Sequence, residues 1–132
     1  MNLRSLRIIT GDIKRLVQFF EKATNIPAQW YTEDFAELVA GNCTVAIGSL
    51  RTVGLFGEGV AQAASNKSII IEFMVDDVDE EYERIKDFIN DIVQMPTTMP
   101  WGNRSLLFRD PDGNLINFFT PVTPEAIAKF AN

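Results

Sequence analysis

Any chemistry in this chain must be done without histidine. None occurs in its 132 residues, so no side chain has an ordinary pKa near neutrality. Proton transfer would fall to a shifted Glu, Asp, Cys or Tyr. Cys43 is the one cysteine, which excludes an internal disulfide and a thiolate metal cluster; with no cationic neighbour in sequence it reads as an inert small apolar residue. The stretch PWGNRSLLFRDPDGNLINFF, from Pro100 to Phe119, places a turn-rich RDPDGN between two apolar runs, where a small-molecule site is readily built. The turn's own carboxylates have a structural explanation. Pro111 fixes φ, Asp110 can accept backbone hydrogens, and Gly113 can take positive φ. The acidic run VDDVDEEYE lacks the spacing and central glycine of a calcium loop and reads as a capped helix start whose acids complement the macrodipole.

The elements that must position these residues follow from periodicity. SLRIIT predicts a strand, and Ile13, Leu16, Val17 and Phe20 recur at helical spacing behind an Asp12 cap. FAELVA and CTVAIGSL flank Gly41-Asn42 as a hairpin. GEGVAQAASNK reads as a connector. The pattern then restarts: SIIIEFMV predicts a strand, and Asp77 caps a helix carrying Val78, Tyr82, Ile85 and Ile89. Aligning Asp12 with Asp77 also aligns Ile13 with Val78, Val17 with Tyr82 and Phe20 with Ile85, and GNCTVAIG matches GNLINFFT at a slightly larger offset. These matches indicate a tandem duplication of a strand, helix and hairpin unit. Thr123 and Pro124 start a short terminal helix in TPEAIAKF. Two such units, each with helices on one sheet face, are expected to leave the other face concave and to offer a ligand site there.

Composition bounds the function. With 46% hydrophobic residues the chain can bury the core of one domain. Twelve basic against eighteen acidic residues give a net charge of −6 with the basic residues scattered, which argues against a nucleic-acid partner. No apolar run approaches the roughly 20 residues that cross a bilayer, and MNLRSLRIITGD does not read as a signal peptide, so a cytoplasmic location is expected.

The duplicated unit, the DIKRLVQFF helix start, FMVDDVDEEY and PWGNRSLLFRDPDGNLINFF together resemble the vicinal oxygen chelate superfamily of glyoxalase I, extradiol dioxygenases, fosfomycin-resistance enzymes and bleomycin-resistance proteins. The resemblance implies an α+β fold of tandem βαβββ repeats forming a concave, partly open sheet with helices outside. The repeats fall at about 1–60 and 66–121 within one domain of residues 1–121, followed by a C-terminal helix at 122–132. Family enzymes hold a divalent metal with His, Gln or Glu. The matching positions here are Ser5, Ile70 and Asn117, with Val45 as the first-repeat equivalent of Asn117. One hydroxyl and one carboxamide do not make a transition-metal shell, so no metal or other cofactor is expected.

If Ser5 and Ile70 point into the concavity, alternation places Arg7 and Glu72 there too. They form either a mutual ion pair or a polar anchor, with Glu72 attracting a cation or serving as the weak candidate for a catalytic base. Asn117 either hydrogen-bonds a ligand or only backbone and water. Trp30, Tyr31, Phe35, Phe56, Trp101, Phe108 and Phe119 are expected to rim the face, with Trp101 the leading ligand contact and Phe119, Phe56 and Tyr31 beside it.

Three functions fit this reading. The first is a metal-free protein of the bleomycin-resistance type that binds an aromatic or cationic small molecule, sequestering an antibiotic for example, and works as a homodimer. The second is a lyase, isomerase or transferase, without metal or with non-standard ligands. The third is an interaction or regulatory domain whose concavity has filled in. The first accounts for the lost ligands, the aromatic residues and the acidic charge together.

Overall fold

A computed structural model describes residues 1–131 and places them in an α+β fold. Its elements are β1 (Ser5–Thr10), α1 (Ile13–Thr24), β2 (Gln29–Thr32), β3 (Phe35–Ala40), β4 (Cys43–Ser49), α2 (Leu50–Val53), β5 (Ile70–Met74), α3 (Val78–Ile85), β6 (Ile92–Thr98), β7 (Asn103–Arg109), β8 (Leu115–Pro121) and α4 (Pro124–Phe130). They form two four-stranded sheets of matching order, β1-β4-β3-β2 and β5-β8-β7-β6, so each repeat is a βαβββ unit. The chain divides into two compact units. The first runs from Met1 to Asn66 and includes Pro111–Gly113; the second comprises Lys67–Asp110 and the chain from Asn114 onward.

In the first unit, Asp12 caps α1 by accepting the Arg15 N–H at 3.2 Å. The helix presents Leu16, Val17, Phe20 and Ala23 as its buried stripe. The matching sheet residues are Ala36, Leu38, Val45 and Ile47, and the ladder aligns Leu38 with Val45 and Ala36 with Ile47. The opposite, far face of this sheet carries Ser5, Arg7 and Ile9 of β1 with Thr44, Ala46 and Gly48 of β4. α2 turns back over that face: a Cβ on Gly48 would fall 2.7 Å from Thr52 Oγ1.

The second unit repeats the plan. Asp77 caps α3 by accepting from the Asp79 and Glu80 N–H groups, and Val78 and Ile85 face a core of Ile71, Leu106, Phe108, Ile116 and Phe118. Its far face carries Ile70, Glu72 and Met74 of β5 with Leu115, Asn117 and Phe119 of β8. α4, capped by Thr123, packs Phe130 on Phe119 with ring centroids 5.2 Å apart. The short helices α2 and α4 therefore occupy the same place in the two repeats. Sequence patterning finds only α4, because four residues of α2 carry no period.

Asp79, in the first turn of α3, holds Arg104 of β7 in a two-point ion pair at 2.9 and 3.0 Å. The Arg104 guanidinium keeps the Asp79 carboxyl below its ordinary value, so the pair contributes stability above the usual carboxylate range and loses it as pH falls through the lowered pKa. Asp79 is exposed and Arg104 half-buried at the surface, and the effect is small. The melting-temperature difference between wild type and Asp79→Asn is expected to be largest near neutral pH and to vanish in acid, as a calorimetric pH series would show.

Candidate functional site

The sheet register decides which side chains share a far face. In the second unit Glu72 lies opposite Asn117 and Asn117 opposite Leu107, so these three form one row. Asn117 is 8% exposed and donates Nδ2–H to Glu72 Oε2 at 2.8 Å. That bond fixes the amide orientation, because a carboxylate only accepts. It leaves Asn117 Oδ1 buried and without a partner, a situation that ordinarily costs about 1–3 kcal/mol. Ile70 and Met74 flank Glu72 on β5, 48% and 55% exposed. The result is a carboxylate and an unfilled carbonyl acceptor set between apolar side chains.

The corresponding row in the first unit is Arg7, Ala46, Glu37 and Gln29. The Arg7 guanidinium sits 4.9 Å from the Phe35 ring centroid and 5.5 Å from that of Phe56. Phe35 in turn lies 6.0 Å from Tyr31. The Tyr31 hydroxyl donates to Gln29 Oε1 at 3.1 Å, and the neighbouring Glu37 carboxylate raises the phenol above its ordinary pKa. Glu37 was missed by the sequence reading although a signal existed: FAELVA alternates, and folding it back at Gly41-Asn42 sets Glu37 opposite Ala46.

Several expectations need correction. Val45 is not the counterpart of Asn117. Ser5 pairs with Thr44 and Ile70 with Leu115, which makes Ala46 the equivalent of Asn117 and leaves Val45 in the core facing α1. Phe108 does not rim the far face; it is fully buried on the α3 side, edge-on to Phe118 at 5.0 Å. Trp30 pairs with Ala36 and so faces the α1 side, where it lines an open depression of about 350 Å³ with Lys14, Tyr31, Thr32 and Glu33. Phe119 is on the far face as expected, but Phe130 lies against it. Trp101, 67% exposed, stands at the β6–β7 turn. That is six residues before Leu107, or ~20 Å along the strand from the Glu72 row. The structure thus brings Glu72 to Asn117 and Arg7 to Phe35 and Phe56, and it does not bring Trp101 to the Glu72 row. Asp110 is structural as read: its carboxylate accepts the Asn114 backbone N–H at 2.9 Å and the side-chain Nδ2–H at 2.7 Å, which closes the turn.

The family's metal positions can be tested by their donors. With the register corrected, the first unit offers Ser5 and Ala46, and the second offers Ile70 and Asn117. Two of the four are hydrocarbon, and the Asn117 amide is already bonded to Glu72. Neither unit's pair fits a divalent transition metal. Among the described residues no group of three or more His, Cys, Asp or Glu is placed to hold a metal ion.

Paired βαβββ units, with rows of polar side chains on sheet faces turned away from the helices, define the class. The chain belongs to the Glyoxalase/Bleomycin resistance protein/Dioxygenase superfamily, whose family model matches residues 2–118. It is 26% identical over 125 residues to protein YraH of Bacillus subtilis (strain 168), a match covering 90% of this chain and 98% of that protein. Among solved structures, a family enzyme from Burkholderia phytofirmans superposes with a TM-score of 0.81 at 16% identity, covering 92% of this chain and 100% of the other. A glyoxalase/bleomycin resistance protein/dioxygenase from Nocardioides gives 0.76 at 19% identity, over 94% and 85% of the two chains. At these identities the two structures establish the fold alone. Among the described residues no helix is long and apolar enough to cross a membrane.

Proposed function

We propose that the protein binds a small organic cation without a metal, and that it acts by sequestering the ligand, as an antibiotic-resistance protein would, rather than by turning it over. One observation carries this reading. At the position where relatives place a metal ligand, buried Asn117 holds Glu72 through Nδ2 and keeps Oδ1 without a partner. The Asn117 amide orients Glu72, whose exposed carboxylate accepts hydrogen bonds and carries charge, so the pair calls for a ligand that brings N–H donors and positive charge. Exposed Ile70 and Met74 beside the carboxylate suit an apolar or aromatic body on that ligand. A homodimer is the assembly we propose, on the family resemblance.

The test uses benzylammonium near neutral pH, with benzyltrimethylammonium as the comparison that keeps charge and ring but has no N–H. Calorimetric titration is expected to show saturable binding of benzylammonium and weaker binding of the quaternary analogue. Glu72→Gln keeps the shape and removes the charge, and is expected to weaken benzylammonium by about tenfold or more, the scale of a charge-assisted hydrogen bond. Metal analysis of protein purified without chelators completes the test. A stoichiometric retained metal, or benzylammonium binding that ignores Glu72→Gln, would overturn the proposal.

A further inference from the structure

We propose that the far face of the first unit carries a recognition site of its own, in which Arg7 takes the carboxylate of a flat aromatic monoanion. Arg7 is exposed on β1, yet its guanidinium is held by the rings of Phe35 and Phe56 at 4.9 and 5.5 Å. Such cation–π contacts fix an otherwise mobile side chain and engage the π faces of the rings. They do not use up the N–H donors, which project from the guanidinium edge in a fork that matches a carboxylate. Within the first unit no carboxylate lies within 4.0 Å of Arg7, whereas Arg51 of the same unit has Glu33 and Asp34 at 3.7 and 3.8 Å. An arginine oriented by aromatic rings and lacking an acid in its own unit is prepared for an external oxyanion.

The surroundings narrow the ligand. Phe56 and Tyr31 are 70% and 59% exposed; Phe56 meets Arg7 directly at 5.5 Å and Phe35 links Tyr31 to Arg7 in steps of 6.0 and 4.9 Å, so a flat body beside the carboxylate has rings to lie against. Glu37 sits on the same row as Arg7, with Ala46 between them. Two strand spacings put their backbones ~10 Å apart, so a second negative charge on the ligand would be repelled by the Glu37 carboxylate. A singly charged carboxylate is therefore favoured over phosphate. None of this uses the second unit, and the inference stands apart from the reading of Glu72.

The test follows the Arg7 Nε–H resonance of ¹³C,¹⁵N-labelled wild-type protein, assigned through bonds from the Arg7 backbone amide, during titration with benzoate, neutral benzamide and inorganic phosphate. Benzoate is expected to move the resonance saturably, with benzamide and phosphate weaker by about tenfold or more. Arg7→Lys retains the charge without the fork and is expected to lose about tenfold in benzoate affinity by calorimetry. Phe56→Leu is expected to lose about threefold or more. An unmoved Arg7 resonance, phosphate binding as tight as benzoate, or Arg7→Lys binding benzoate like wild type would each overturn the proposal. The wild-type resonance needs no variant, so a folding defect in either substitution leaves the test intact. Benzoate and benzylammonium carry opposite charges and are titrated separately, so failure at Arg7 and failure at Glu72 are told apart.

Discussion

Phe118→Ala is expected to lower the unfolding free energy by about 3–5 kcal/mol, the usual cost of emptying a phenyl-sized space in a packed core. Phe118 is 1% exposed and stands at the centre of an aromatic cluster, with Phe108 at 5.0 Å and 90° and Phe73 at 5.6 Å and 80°. Both contacts are edge-to-face, so the loss includes their quadrupole attraction, worth roughly 0.5–1.5 kcal/mol per pair beyond the buried area. All three residues lie on the α3 side of their sheet, between β5, β7 and β8. The substitution therefore loosens the strands that also present Glu72 and Asn117 on the other side. Thermal unfolding is expected to show a melting temperature lower by on the order of 10–20 °C. Phe118→Leu, which refills part of the volume without the ring, should recover more than half of that fall. If the alanine variant melts within a few degrees of wild type, the cluster is not what holds this sheet to its helix.

The same cluster shows what the sequence could and could not reveal. The repeat was legible because its signals are local. Two aspartate caps, each followed by an amphipathic stripe, recur at a fixed offset, and a cap and a stripe need only neighbouring residues. Which face a strand residue occupies is less local, because a one-residue error reverses every side chain. Matching Gly41-Asn42 to Gly113-Asn114 introduced that error. The first turn closes Ala40 onto Cys43, whereas the second spans from Arg109 to Leu115, so equal turn residues sit at unequal places on the two ladders. Hence the turn match puts Val45 where the ladder has Ala46. The edge strands were hidden for another reason. Gln29–Thr32 is exposed throughout, and Ile92–Thr98 contains Pro96 and breaks register twice, so neither shows a clean alternation. Glu72 and Arg7 were legible as opposed charges at equivalent positions. That Asn117 claims the first and two phenyl rings hold the second depends on the sheet register and on α2, which no short-range pattern encodes.

Gly102→Ala is expected to destabilise by about 2–4 kcal/mol, from backbone strain and a steric clash acting together. Gly102 adopts φ +95°, a conformation that L side chains rarely take. Its carbonyl accepts the N–H groups of Val122 and Thr123 at 2.9 and 3.3 Å, which ties the β6–β7 turn to the start of α4. A Cβ there would press into Thr123 Oγ1, the atom that caps α4 through the Ala126 N–H, and would reach the Ala126 Cβ at 3.0 Å. The room that the missing side chain leaves is taken by the start of the chain's own terminal helix. The consequence reaches the far face, because α4 brings Phe130 onto Phe119, two residues along β8 from Asn117. Loss of the cap should therefore expose Phe119 as well as lower the melting temperature by on the order of 10 °C. Hydrogen exchange separates the two effects: faster exchange confined to α4 and the Trp101 turn would locate the damage at the cap. Wild-type exchange and melting in Gly102→Ala would mean that the turn and helix can part without consequence for the sheet.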